Sequence, residues 1–215
     1  MKTAGPLLNI AGLALVALAL AMLLARHART GPTLYAAASV PAAAIPVILG
    51  FTYGLPELFA LAAVILVVKG RFAPRLLAGD WILGDEAVHR WTGPTGTVGS
   101  LLAAVAVIGV SFSIAAFALP LDLEVVFGGC LATGLLGVLL PVLRHELSSH
   151  ASGLLIAEEG FSSAGLLLVA TAPRLAEIAT LVDLLVLAVV FGVLLRTVAR
   201  VHGAMDAALL RELRG

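Results

Sequence analysis

A chain of 215 residues that is 61% hydrophobic and only 12% charged, with mean hydropathy +1.11, does not have the composition of a soluble domain, which holds roughly a quarter charged residues. It reads as an integral membrane protein, and its net charge of zero removes the electrostatic reason to expect a nucleic acid or an acidic substrate. The single cysteine, Cys130, lies in an apolar run, which leaves no disulfide framework and no CxxC pair for zinc or iron–sulfur ligation.

A spanning helix needs about 20 apolar residues to cross roughly 30 Å of hydrocarbon. That length predicts an all-α, polytopic membrane fold with seven spans, at residues 7–25, 33–53, 58–77, 98–119, 125–143, 151–172 and 176–195. The chain divides into an N-terminal four-helix region, 1–122, and a three-helix core with a tail, 123–215. The first apolar run is longer than a signal-peptide core of about 7–15 residues. Its stronger positive flank, Arg26 and Arg29, follows it, so it reads as a retained helix.

Positive charge sets the expected orientation. With the N-terminus outside, the outer ends and loops carry only Lys2 and Arg174. The inner side carries Arg26, Arg29, Arg75, Arg90, Arg144, Arg196, Arg200, Arg211 and Arg214, with Arg71 near the same edge. That asymmetry puts the C-terminus in the cytoplasm.

In the second span Pro41 and Pro46 each remove an intrahelical donor, which predicts a kink, read either as a mechanistic hinge or as a tolerated membrane proline. The third span carries Lys69 after the apolar run 58–68, about 16 Å from the outer edge. It reads as a functional cation at mid-depth. Snorkelling at a shifted helix end is the alternative, since Arg71 and Arg75 follow. Glu57 reads as a solvated outer cap. The loop 80–97, with Trp81 and Trp91 among charges, suits the inner headgroup layer. Its Gly-Pro-Thr-Gly-Thr-Val-Gly lacks the Gly-Lys-Ser/Thr ending of a phosphate loop and reads as a turn into the fourth span. Gly129, Thr133 and Gly137 are spaced to form one close-packing seam on the fifth span. His145 and His150 stand where a proton would enter from the inner side, but with no metal-like constellation around them they read first as ordinary loop residues.

The last two spans carry acids at depths where a charge costs roughly 2.5 kcal/mol or more unless it has a partner or a task. Glu158 lies about 10–14 Å from the inner edge, and Asp183 about 10 Å from the outer one, with Lys69 between. Burial and a neighbouring lysine act on a carboxyl in opposite senses, so such a set suits proton exchange. A static ion pair that locks helix packing is the competing reading. Glu158 and Glu159 point about 100° apart, so only one is expected to face a given partner, with Glu158 the first choice. Glu159 is expected to face a neighbouring subunit or a water pocket.

Three features then carry a family resemblance: Gly-Leu-Leu-Ile-Ala-Glu-Glu-Gly at 153–160, Thr-Leu-Val-Asp at 180–183, and the tail that begins Val-His-Gly-Ala-Met-Asp at 201. From 153 to 215 the chain resembles component E of the hydrogenase-4 type membrane complexes, a relative of the K subunit of respiratory complex I. The earlier helices, Lys69 included, look like that family's longer N-terminal part more weakly. The resemblance implies a subunit with no cofactor of its own, in a bacterial or archaeal cytoplasmic membrane, that couples electron transfer to proton or sodium movement and performs no bond chemistry alone. Nickel–iron and iron–sulfur centres would sit on partner subunits. The implied partners are antiporter-like and quinone or anchor-type membrane subunits, soluble redox subunits and membrane lipid. Carried over by position, Glu158 matches the second-helix glutamate of the three-helix core and Asp183 the third-helix acid. Aspartate in place of glutamate shortens the proton-transfer reach, and the Glu158–Glu159 doublet has no counterpart in the K subunit. A multi-subunit cation/proton antiporter and a purely structural anchor are the competing assignments.

Overall fold

The computed structural model describes residues 4–25, 30–77, 96–119, 121–144 and 147–171. Every regular element among them is helical: α1 (Ala4–Leu24), α2 (Thr30–Tyr53), α3 (Glu57–Val64), a π-helical segment (Ile65–Phe72), α4 (Ala73–Leu77), α5 (Gly96–Ala118), α6 (Leu121–Leu143) and α7 (Leu147–Thr171). Four helices, α1, α2, α5 and α6, are long and apolar enough to cross a membrane. The predicted spans at 58–77 and 151–172 are also helical, as α3 to α4 and as α7. The predicted span at 176–195, with Asp183, lies outside the described residues, as do His145, both tryptophans and the C-terminal tail. Helices α2, α6 and α7 start three to four residues earlier than hydropathy predicts. Their first turns contain polar residues such as Thr30, Asp122 and Ser148, which lower local hydropathy without opposing a helix.

Close approaches of backbone fix the arrangement. A Cβ added at Gly12 would stand 2.9 Å from the Cα of Val126, and one at Gly129 would stand 2.7 Å from the carbonyl oxygen of Gly12. Where α1 ends, the buried side chain of Arg144, just past the end of α6, reaches its carbonyls: Nη2 donates to that of Leu23, 2.5 Å, and to that of Ala25 just beyond, 2.7 Å. Helices α1 and α6 therefore run parallel, and an arginine satisfies carbonyls that a helix end leaves without partners. Helix α7 returns against α6 with Gly137 facing Gly153 and Ala157, and with Gly160 facing Gly134 and Cys130. Helix α2 runs parallel to α7, since Gly31 meets Ser152 near the start of both.

The predicted single seam on the fifth span is thus divided. Gly129 seats α1 while Gly137 seats α7, and Thr133 turns inward to donate to the carbonyl of Gly129 at 2.8 Å. Eight residues at about 100° each put Gly129 and Gly137 on different faces, so one helix serves two neighbours.

Helix α2 continues through both Pro41 and Pro46 to Tyr53. It ends at Gly54, whose φ of 68° lets the N–H of Leu55 reach back to the carbonyl of Gly50, 3.1 Å, in a glycine-dependent cap. The chain then reverses into α3. Phe51 and Phe59 meet edge to face at 4.8 Å across the turn, and Glu57 is exposed in the first turn of α3. The outer faces are apolar: on α5, Val98, Leu102, Val105 and Phe117 are well exposed. A helix whose backbone is satisfied internally and whose outward side chains are hydrocarbon is the form a bilayer accepts.

Candidate functional site

The site begins with an irregularity in the backbone. After α3 the helix widens, and the N–H of Ala73 reaches back five residues to the carbonyl of Val68. Such π-turns are rare and occur often at functional sites. Here the segment carries Lys69. Gly70 beside it lets the segment settle against α2, since an added Cβ would stand only 2.6 Å from the hydroxyl of Ser39. Lys69 is thereby held over α7.

Its ammonium meets both adjacent glutamates. Nζ donates to Glu158 Oε1 at 3.0 Å, lies 2.8 Å from Glu158 Oε2, and lies 2.8 Å from Glu159 Oε2. The expectation that only one of the two acids faces a given partner is therefore corrected. Their Cβ atoms do diverge around α7, but each side chain has three torsions of reach, and a single ammonium lies between their directions. Burial differs between the two: the side chain of Glu159 is 1% exposed, that of Glu158 26%. Two carboxyl groups share one cation, so the trio is neutral only when one carboxyl also holds a proton.

Depth follows from register. Ser39, level with Gly70, is nine residues from Thr30, or about 13 Å along α2 at 1.5 Å per residue. In a core of about 30 Å that puts the trio near mid-depth. A cleft of about 350 Å³ opens beside it between α2, α3 and α7, lined by Lys69, Glu158, Glu159, Ser162 and Ser163 with apolar residues such as Phe161 and Leu166. Water in the cleft could reach the ion pair chiefly at Glu158, the more exposed acid, while Glu159 borders the cleft nearly buried. Among the described residues no three His, Cys, Asp or Glu side chains converge to hold a metal ion.

Of the predicted site residues, Lys69, Glu158 and Glu159 come together, while Asp183 lies outside the described residues. His150 lies in the first turn of α7, a little over two turns from the trio. Sequence reading passed over Tyr35. Its ring is 1% exposed on α2, and its hydroxyl finds no hydrogen-bond partner among the described residues. The available signal was a phenol in an otherwise apolar helix, because a buried tyrosine hydroxyl usually has a partner.

The chain is 28% identical over 176 residues to the uncharacterized protein Rv0085 of Mycobacterium tuberculosis, and the match covers 80% of each chain. No family model matches the chain, and no solved structure does.

Proposed function

We propose that this chain is a membrane-arm subunit of a hydrogenase-4 or complex-I-like oxidoreductase, where it takes part in moving protons, or sodium ions, as electrons pass through partner subunits. The observation that carries the reading is the trio of Lys69, Glu158 and Glu159 at mid-depth beside a cleft of about 350 Å³. A lysine bridging two acids can exchange a proton between them without building net charge in a low-dielectric layer, which is what lateral proton movement needs. The resemblance of residues 153–215 to the hydrogenase-4 component supplies the kind of complex.

In this reading the chain has seven spans in a bacterial or archaeal cytoplasmic membrane. Its N-terminus is outside and its C-terminus in the cytoplasm. Asp183 continues the acidic path from the seventh span. Antiporter-like and anchor-type subunits flank it, and the nickel–iron and iron–sulfur centres belong to soluble partners.

The test is redox-driven proton movement in inverted membrane vesicles that carry the assembled complex with Glu158→Gln or Glu159→Gln. Both variants should assemble, and coupled proton movement should fall about a hundredfold, the scale of losing a positioned proton-transfer group. Full coupling in a correctly assembled variant would falsify the role of that glutamate. Failure to assemble, with normal coupling in the fraction that does, would favour a static anchor.

A further inference from the structure

We propose that the Tyr35 hydroxyl is the relay group through which Glu159 exchanges its proton with the end of the bundle where α2 and α7 begin. The inference rests on the reading of the trio as a proton-exchange site and adds a residue and a direction to it.

Three observations carry it. Tyr35 is buried to 1% exposure, and its hydroxyl has no hydrogen-bond partner among the described residues. Phenylalanine would fill the same volume without desolvating a hydroxyl, so packing alone does not account for the oxygen. The second observation is register. Helices α2 and α7 run parallel from Gly31 beside Ser152 to Ala42, which shares the cleft with Glu158 and Glu159. Tyr35 falls between these levels, about one turn above the Gly31–Ser152 approach. Glu159 stands seven residues beyond Ser152 and Tyr35 four beyond Gly31, which leaves the two within about one turn of each other in level. The charges of Glu159 and, more weakly, Glu158 act on the Tyr35 hydroxyl. The third is what lies below. Ser149 and Ser152, each 3% exposed, continue the buried polar groups along α7 toward its start.

The groups around Glu159 then have separate tasks. Lys69, from the π-helical segment, holds the charge, and Glu158 faces the cleft. Cys130, from α6, also feels Glu159 but offers only a weak thiol donor. Tyr35 is the oxygen donor on the closed side. In the relay step a water between the two groups gives a proton to the Glu159 carboxylate as it takes the phenolic proton, so that the phenolic O–H bond breaks. A water on the Ser152 side gives a proton to the same phenolic oxygen, and the resulting hydroxide takes a proton from the solvent beyond. No tyrosinate accumulates, and the reverse sequence discharges Glu159.

Infrared spectroscopy of the purified full-length chain in lipid nanodiscs tests this, following hydrogen–deuterium exchange of the carboxyl signal that Glu159→Gln removes. Tyr35→Phe should slow that exchange about tenfold or more. Its thermal midpoint should stay the same or rise, since an unsatisfied hydroxyl has been removed. Exchange at the parental rate would overturn the proposal. A Tyr35→Phe chain of lowered stability would assign the hydroxyl a packing role and overturn it too. So would a carboxyl signal that Glu159→Gln leaves untouched. Because the isolated chain is measured, the outcome is separate from whether the chain works within a redox complex.

Discussion

Replacing Lys69 by methionine destabilises the folded chain by about 3 kcal/mol, the scale on which removing one member of a buried ion pair acts. Methionine keeps the length of lysine's apolar stem and drops only the ammonium, so the effect isolates the charged end. What remains is two carboxyls converging on one point without a cation. Glu159 accounts for most of the loss, because its side chain is 1% exposed, whereas the 26% exposure of Glu158 lets cleft water screen it. The same logic predicts recovery. Adding Glu158→Gln and Glu159→Gln to Lys69→Met removes the uncompensated charges and restores most of the lost stability. Thermal unfolding followed by circular dichroism in a mild detergent measures all three chains. A Lys69→Met chain as stable as the parent would mean that the ion pairs contribute nothing to the fold.

The second large effect concerns the approach of α6 to α7. A Cβ at Gly137 would run into the backbone nitrogen of Ala157 and stand 2.7 Å from the carbonyl oxygen of Gly153. Backbone cannot move aside as a flexible side chain can, so Gly137→Val must push the helices apart. Overpacking of this kind costs about 1–3 kcal/mol at a well-packed site, and a β-branched residue against backbone belongs at the upper end. The separation also shifts α7 relative to Lys69, so the variant should lose function beyond its loss of stability. Gly109 on α5 is the control: nothing lies within 4 Å of a Cβ added there. Gly109→Ala should leave stability unchanged or raise it by up to about 1 kcal/mol through helix propensity. Equal destabilisation by the two substitutions would contradict the close approach at Gly137.

These two sites also mark what could be read from the chain beforehand. The helices were legible because hydrocarbon length sets span length, and α1, α2, α5 and α6 pass on that ground alone. Which faces meet was not legible. In a membrane the lipid-facing and protein-facing sides of a helix are equally apolar, so no periodic pattern separates them. That is why Gly129 and Gly137 looked like one seam, and why the contact of Gly12 with Gly129 had no signal.

The pairing of Lys69 with Glu158 followed from depth, a quantity that residue counting supplies. The burial of Glu159 did not follow, because adjacent helical residues look divergent until side-chain reach is considered. The π-helical segment is invisible in the run Ile-Leu-Val-Val-Lys-Gly-Arg-Phe, which would suit an ordinary helix. Tyr35, near the start of its helix, resembles an interfacial aromatic until its burial is known.

The central claim, that the chain couples redox chemistry to ion movement as part of a larger assembly, is tested most directly by isolating the tagged protein in mild detergent. Mass spectrometry then identifies what accompanies it. The account predicts a nickel-bearing large subunit, iron–sulfur subunits and antiporter-like membrane chains in the same complex. Antiporter-like chains without a redox subunit would contradict the redox half of the claim and transfer the trio to cation exchange. A chain that is stable alone, with no partner recovered, would contradict the claim entirely.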